Sequence, residues 1–304
     1  MRKSVLFLVL LLLTACARSP GQSGVQPASS VSVDREGYPI SIPDEINTII
    51  SIGPDNTEIL VALGLGHKII GADTFSYNVY GIQPGISVLD MMSLDAEFII
   101  NAQPDVILVT GMTRVGGEDP LSVVSATGIS VIHMPVSASI ADIIEDIRFI
   151  AAVVGEEAAG EHIITQMEAE MDYIRHKAEA ITDRKRVYFE IYPAPFMISL
   201  GTGTFLHEMI ELVGAENIFF DREGWFSVAD EVILIENPDV ILTTVDFMEN
   251  AVAEIKQRPG WGALTAVQNN AVFYIDGDSS SRPSHNITKA LWEMARAIYP
   301  QIFN

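Results

Sequence analysis

The sequence predicts an α/β protein of two lobes, each built on a mainly parallel sheet, joined by one long stiff helix. Three observations lead there. Runs of β-branched residues alternate with helical patterns along most of the chain, the order that produces parallel strands with helical crossovers. The fourteen residues 97–110 recur at 231–244 with eight identities, among them Glu97/Glu231 and Pro104-Asp105/Pro238-Asp239. Between the two copies, 156–181 carries apolar residues at helical spacing and no proline.

Taken in order, the chain of 304 residues opens with Arg2 and Lys3 before an apolar run from Val5 to Leu13, closing in Leu13-Thr14-Ala15-Cys16. A basic start, a short apolar stretch and small residues before a cleavage point form an export signal over 1–15. The run is too short for a bilayer span, which takes about 20 residues. A cysteine at that place resembles a bacterial lipoprotein signal, which makes Cys16 the lipidated first residue of a mature chain. The segment 16–32 is rich in Ser, Pro, Gly and Gln, the composition of a flexible tether. The protein is therefore expected outside the cytoplasm, lipid-anchored on the periplasmic or cell-surface face of a membrane.

The N-terminal lobe, 33–138, is entered through a hairpin pattern, 31–33 and 38–42 around Asp34-Arg35-Glu36-Gly37. Its strands are expected at 48–52, 68–72, 106–110 and 131–134. A helical connection, 139–183, contains the bridging helix 156–181, whose apolar face is Ile163, Ile164, Met167, Met171, Ile174, Ala178 and Ile181. At 1.5 Å per residue it would be a rod of roughly 39 Å, interrupted only by Gly160 near its start. The C-terminal lobe, 184–304, has strands at 187–191, 240–244 and 272–275. Each copy of the repeat reads as a short helix, a Pro-Asp break and a buried strand. A weaker echo pairs Thr57-Glu58-Ile59-Leu60 and Gly64 with His207-Glu208-Met209-Ile210 and Gly214, helices ended by glycine.

Composition narrows the function. Asp and Glu number 40 against 18 Lys and Arg, a net charge of −22 that argues against nucleic acid as partner. Removing Arg2 and Lys3 with the signal takes it to −24. Apolar residues make up 48%, enough for a core. The single cysteine excludes an intrachain disulfide and any cysteine-cluster metal site. Gly64-Leu65-Gly66 and Gly201-Thr202-Gly203 lack the third glycine of a dinucleotide fingerprint, and no phosphate loop or Gly-x-Ser-x-Gly elbow occurs. An extracytoplasmic enzyme is thus the disfavoured alternative. The histidines at 67, 133, 162, 176, 207 and 285 are scattered, which speaks against a metal or haem site, and no resident cofactor is expected.

The segments Asn47-Thr48-Ile49-Ile50-Ser51-Ile52-Gly53-Pro54-Asp55-Asn56-Thr57-Glu58 and Leu63-Gly64-Leu65-Gly66-His67-Lys68-Ile69-Ile70-Gly71 have a familiar order. With both Glu-x6-Pro-Asp repeats and Gly214-Ala215-Glu216-Asn217-Ile218-Phe219, they make the chain resemble the substrate-binding proteins of bacterial ABC importers. The likeness is to the helical-backbone group, class III, that serves cobalamin and ferric siderophores, and it spans essentially the whole mature chain. It implies a monomer that captures a small molecule between its lobes and delivers it to a permease dimer with ATPase subunits, performing no chemistry itself.

By the same resemblance, Glu97 and Glu231 match surface glutamates that dock on permease arginines. Read only as helix residues, they would be first-turn acids behind N-caps at Ser93 and Ser227. Phe75, Phe196 and Trp225 match positions where cobalamin binders set aromatics against the ligand; Tyr77 and Tyr80 share the loop of Phe75, with Tyr80 expected to pack. Asp278 and Arg282 match an acid and an arginine that hydrogen-bond corrin amides. Met91 departs from the pattern, standing where a cobalamin binder has tryptophan, and Ser279–Ser281 replace bulkier residues. Tri-anionic catecholates need several cations, and only Arg114, Arg222 and Arg282 fall near the expected loops. An uncharged, amide-rich ligand suits aromatics with few charges. Cobalamin is favoured; a ferric hydroxamate siderophore or haem is the alternative.

Overall fold

A computed structural model describes residues 31–114 and 119–303. The signal 1–15, Cys16 and nearly all of the tether lie outside the described residues. Among the described residues no helix is long and apolar enough to cross a membrane.

The N-terminal lobe holds β1 (Ile49–Ile52), β2 (Ile69–Asp73), β3 (Ser87–Leu89), β4 (Val106–Thr110) and β5 (Ser130–Met134), in the order β3-β2-β1-β4-β5. Every pairing is parallel. Its helices are α1 (Pro54–Ala62), α2 (Ala96–Ala102) and α3 (Ser122–Ser125), followed by the connecting pair α4 (Ile140–Val154) and α5 (Glu157–Ala178). The C-terminal lobe contains β6 (Arg186–Glu190), β7 (Ile198–Leu200), β8 (Glu216–Asn217), β9 (Trp225–Ser227), β10 (Val240–Thr243) and β11 (Val272–Tyr274). Four of these form a parallel sheet in the order β11-β10-β6-β8, while β7 and β9 pair antiparallel. Its helices are α6 (Phe205–Leu212), α7 (Asp230–Glu236), α8 (Ala251–Gln257), α9 (Thr265–Gln268), α10 (Gly277–Ser281), α11 (Ile287–Ile298) and α12 (Pro300–Phe303).

All seven expected strands are present, with ends moved by one residue at most. Most were legible because parallel strands buried on both faces are continuous β-branched runs, whereas the edge strand β11, Val272-Phe273-Tyr274, was marked by β-branched and aromatic residues alone. Side chains alternate between two cores: Val106 and Leu108 face the core shared with α4 and α5, whereas Ile107 and Val109 face the outer helices. In the second sheet Val187, Phe189, Val240 and Leu242 join that same shared core, and Tyr188 and Ile241 face away. One continuous apolar core therefore runs from lobe to lobe through the two connecting helices.

The expected hairpin is reduced to one antiparallel bridge, Val33 to Pro39. The buried Asp34 carboxylate takes over its work, accepting the N–H of Glu36 at 3.0 Å and of Tyr38 at 2.8 Å. Its other oxygen accepts the His133 N–H at 3.1 Å and so covers the free edge of β5.

The repeat has a structural reason. α2 and α7 each end in a left-handed residue, Gln103 (φ 47°) and Asn237 (φ 45°), before the Pro-Asp pair. The Asp105 carboxylate then accepts the N–H groups of Asn47 (2.7 Å) and Thr48 (2.8 Å), clamping the chain as it enters β1. Asp239 does the same for Arg186 at the start of β6, at 2.9 Å. Burial alone would raise the Asp105 carboxyl, but the bonds from Asn47 and Thr48 outweigh it and hold it below the ordinary value. A depressed folded-state value supplies stability that is present above the unfolded carboxylate range and is lost as pH falls through the folded value. Asp105→Ala is accordingly expected to cost about 1–2 kcal/mol at pH 7. In urea melts the gap from wild type should narrow below about pH 4.

The echo is also structural. α1 and α6 end in the same glycine motif, with Gly64 (φ 83°) and Gly214 (φ 82°) in the left-handed region. Leu65 N–H bonds Leu60 C=O at 2.9 Å, and Ala215 N–H bonds Ile210 C=O at 3.1 Å.

The bridging helix α5 is 22 residues, about 33 Å long, and shorter than 156–181 because Glu156 is its N-cap and Glu179 its C-cap. α4 begins at a capping box, Ser139 with Asp142, and turns into α5 through Gly155. The two helices pack through Gly160, where an added Cβ would lie 2.5 Å from the Ala151 Cβ. Gly160→Leu should force them apart and cost about 3 kcal/mol, read as a drop in the urea midpoint.

Candidate ligand cleft

In parallel sheets the loops beyond the strand C-termini form the natural binding edge. Exposed aromatic and methionine side chains gather at that edge. Phe75 (59% exposed) and Tyr77 follow β2, Met92 follows β3, and Met112 follows β4. In the other lobe Tyr192 and Phe196 (72% exposed) follow β6, Phe247 follows β10, and Trp225 (49% exposed) lies on β9. Tyr192 and Phe247 meet with ring centroids 5.6 Å apart. Tyr80, expected to pack, is instead 97% exposed. Met91 is buried in the N-terminal core, and its neighbour Met92 is the exposed one.

Two buried carboxylates at strand ends shape these loops. Asp73, the last residue of β2, accepts the N–H groups of Gly53 (2.8 Å), Phe75 (2.8 Å) and Ser76 (3.2 Å), as well as the Ser76 hydroxyl. It thereby fixes the turn that presents Phe75. Glu190, the last residue of β6, is gripped by Arg258, Nη1 at 2.6 Å and Nη2 at 3.0 Å. Arg258 Nη1 also reaches the Met197 sulfur at 3.3 Å, under the loop that carries Phe196.

Asp278 and Arg282 come together at 2.6 Å, at the start of α10 and just past its end. The serine-rich stretch is thus a short helix, N-capped by Asp276, whose side chain accepts the Ser279 N–H at 2.8 Å. Burial opposes ionisation of Asp276, but Ser279 and Lys289 hold its carboxyl below the ordinary range. Arg282 reaches into the other lobe: it donates to Glu58 at 3.0 Å and to the Phe75 carbonyl at 3.2 Å. Phe75, Asp278 and Arg282 therefore form one cluster, beside a cavity of about 370 Å³ lined by Glu58, Tyr80, Asp278 and His285. Burial lowers the His285 imidazole below its usual value, and its Nδ1 has no hydrogen-bond partner.

Glu97 and Glu231 are both exposed in the first turn of their helices. The caps differ from expectation. Asp95, not Ser93, caps α2 by accepting the Phe98 N–H at 3.0 Å, and Ala229, not Ser227, precedes α7 with no side-chain cap. Each helix leads back into a strand, α2 into β4 and α7 into β10, so both glutamates stand at the edge where the sheets open.

Residues 49–279 match the sequence family described as periplasmic binding protein. The chain belongs to the periplasmic binding protein family. It is 29% identical over 315 residues to a Bacillus subtilis protein named as an uncharacterized ABC transporter substrate-binding lipoprotein, YvrC, covering 99% of this chain and 97% of that one. It is 28% identical over 251 residues to a vitamin B12-binding protein of Vibrio cholerae, covering 80% and 85% respectively. A crystal structure from Staphylococcus epidermidis, described as a possible iron-binding, periplasmic solute-binding protein, superposes with a TM-score of 0.75 at 29% identity. It covers 84% of this chain and 99% of its own.

The electrostatics of this periplasmic binding protein leave little free positive charge near the loops. Arg282 is paired with Glu58 and Asp278. Arg114 is paired with Glu36, lies 3.7 Å from Asp119 and stacks on Tyr38. Arg222 lies over the rings of Phe219 and Phe226, 5.1 Å from each centroid. Among the described residues no group of three His, Cys, Asp or Glu side chains could hold a metal ion. The edge can offer aromatic faces and backbone polar groups to a ligand.

Sequence reasoning gave no role to Glu58 and missed Asp73, Glu190 and Arg258. It also missed Tyr192, Met112 and Phe247, although each follows an expected strand end within four residues and could have been found by that rule.

Proposed function

We propose that this protein captures cobalamin between its lobes and delivers it to an ABC permease with its ATPase subunits. The observation that carries the reading is the collar of exposed aromatic and methionine side chains at the strand ends, with Arg114, Arg222 and Arg282 each already engaged. Arg114 and Arg282 are already paired with carboxylates and Arg222 lies over Phe219 and Phe226, too little positive charge for a desolvated trianion, whereas a large, amide-rich, uncharged macrocycle is served by aromatic faces. The vitamin B12-binding relative supports the same ligand. Phe75, Phe196 and Trp225 form the contact set. Glu97 and Glu231 dock on two equivalent basic pockets of the permease, since related carboxylates on related lobes fit a twofold partner. The name of the Bacillus relative supports the transporter partnership and a lipid anchor, which here is Cys16, holding the protein outside the cytoplasm.

A ferric hydroxamate is the second reading, because it too is uncharged and the Staphylococcus structure is described as possibly iron-binding. Parallel calorimetric titrations with cyanocobalamin, a neutral ferric hydroxamate and haem decide between them. Saturation by cyanocobalamin alone supports the reading. Silence to it at micromolar concentration, with saturation by the hydroxamate or haem, overturns it.

A further inference from the structure

The lobes share a core through α4 and α5, and two glutamates at matched places in the echoed segments add polar contacts, Glu58 directly between the lobes and Glu208 to the start of the connection. Glu58 on α1 and Glu208 on α6 stand at the same distance before Gly64 and Gly214. Each reaches the segment that follows the other lobe's last strand. Glu58 takes the segment after β11, accepting from Arg282 Nη1 at 3.0 Å, Asn286 Nδ2 at 2.8 Å and the Ser284 hydroxyl. Glu208 takes the segment after β5, accepting the N–H of Ile140, the first residue of α4, at 2.8 Å.

The two contacts are unequal. Glu58 is 6% exposed and is held by three side chains, one of them a cation that also grips Asp278 and the Phe75 carbonyl. A buried carboxylate deprived of such donors is strongly disfavoured, so this contact resists separation. Glu208 is exposed and holds a single backbone N–H, which water replaces at small cost. Beside it runs an open groove of about 990 Å³, lined by Ile140, Ile144, Met171, His207, Glu208 and Leu212, which leaves room for movement.

We propose that Glu58 is the fixed pivot between the lobes and the Glu208–Ile140 contact the yielding one. The cleft then opens and closes about the Glu58 side, and Arg282 is a positioning residue that ties the Phe75 loop to α10. The proposal rests on the reading that the ligand lies between the lobes, and is independent of which ligand it is.

The test places spin labels at Asn101→Cys on α2 and Ile235→Cys on α7, exposed and matched positions of the repeat. The chain carries Cys16→Ser, so that only these two thiols are labelled. Pulsed electron resonance then reads the lobe-to-lobe distance without ligand. Glu58→Ala and Arg282→Ala are expected to broaden the distribution and shift its centre by about 2 Å or more, the scale of packed-element slippage. Glu208→Ala should stay within the wild-type width. If Glu58→Ala does not fold by circular dichroism, Glu58→Gln against Glu208→Gln makes the same comparison with side-chain shape preserved. Distributions for the Glu58 and Arg282 variants that superimpose on wild type overturn the proposal, as does a larger shift from the Glu208 variant. Because no ligand is added, a negative titration with cobalamin leaves this result standing, and the reverse holds as well.

Discussion

Cells carrying the Glu97→Ala/Glu231→Ala double variant are expected to lose ligand uptake while the purified protein binds ligand as tightly as wild type. Both carboxylates are exposed, neither holds the fold together, and each stands in the first turn of a seven-residue helix at the opening edge of its sheet. Alanine at either position therefore leaves the loops bearing Phe75 and Phe196 untouched. At the permease, truncating one member of a desolvated, hydrogen-bonded charge pair typically costs about 2–5 kcal/mol. Each single variant should thus slow uptake by at least tenfold, and the pair should abolish it. Uptake assays and calorimetry on the same variants check this. Unchanged uptake, or a loss of ligand affinity in the purified protein, would count against docking.

The second large effect lies under the Phe196 loop. Arg258 is buried, grips the fully buried Glu190 with two N–H groups, bonds Glu254 at 2.6 Å and stacks on Trp261, 4.5 Å from its ring centroid. Arg258→Ala removes the countercharge and leaves the Glu190 carboxylate stranded, which is expected to cost about 3–5 kcal/mol in urea unfolding. Glu190→Gln/Arg258→Met should recover most of that loss, because a neutral pair of similar volume strands no charge. Because Arg258 also supports Met197, the single variant should weaken ligand binding at temperatures where it remains folded. A cost below about 1 kcal/mol would mean that water reaches Glu190 and that the pair is not a structural anchor.

What could be read in the sequence follows a physical division. Strands buried on both faces were legible as apolar runs, whereas β3, β7, β8 and β9 are two or three residues long and leave no periodic window; β11 is as short but showed through its β-branched and aromatic residues. The Pro-Asp repeat marked a real structural device, yet that Asp105 and Asp239 clamp the entry to β1 and β6 depends on strand order, which no local pattern contains. The aromatics of the candidate site were visible because they follow expected strands. Their supports were not: Arg282 and Asp278 stood four residues apart in sequence, but the partner that ties Arg282 to the other lobe, Glu58, lies 224 residues away. The echo drew attention to Glu58 and Glu208 without saying what either one holds. The cap assignments failed for a simpler reason, since Asp95 lies nearer the start of α2 than Ser93 does.

Trp225 offers the most direct test of the whole account. It is the half-exposed tryptophan at the sheet edge, whereas Trp261 is fully buried and Trp292 packs between Tyr173 and Phe303. Titrating the mature protein with cyanocobalamin and following intrinsic fluorescence should give saturable one-to-one quenching. That quenching should be mostly lost in Trp225→Phe, while calorimetry still detects binding. Absence of saturable quenching up to micromolar ligand, or quenching that persists undiminished in Trp225→Phe, would contradict capture of cobalamin at this edge.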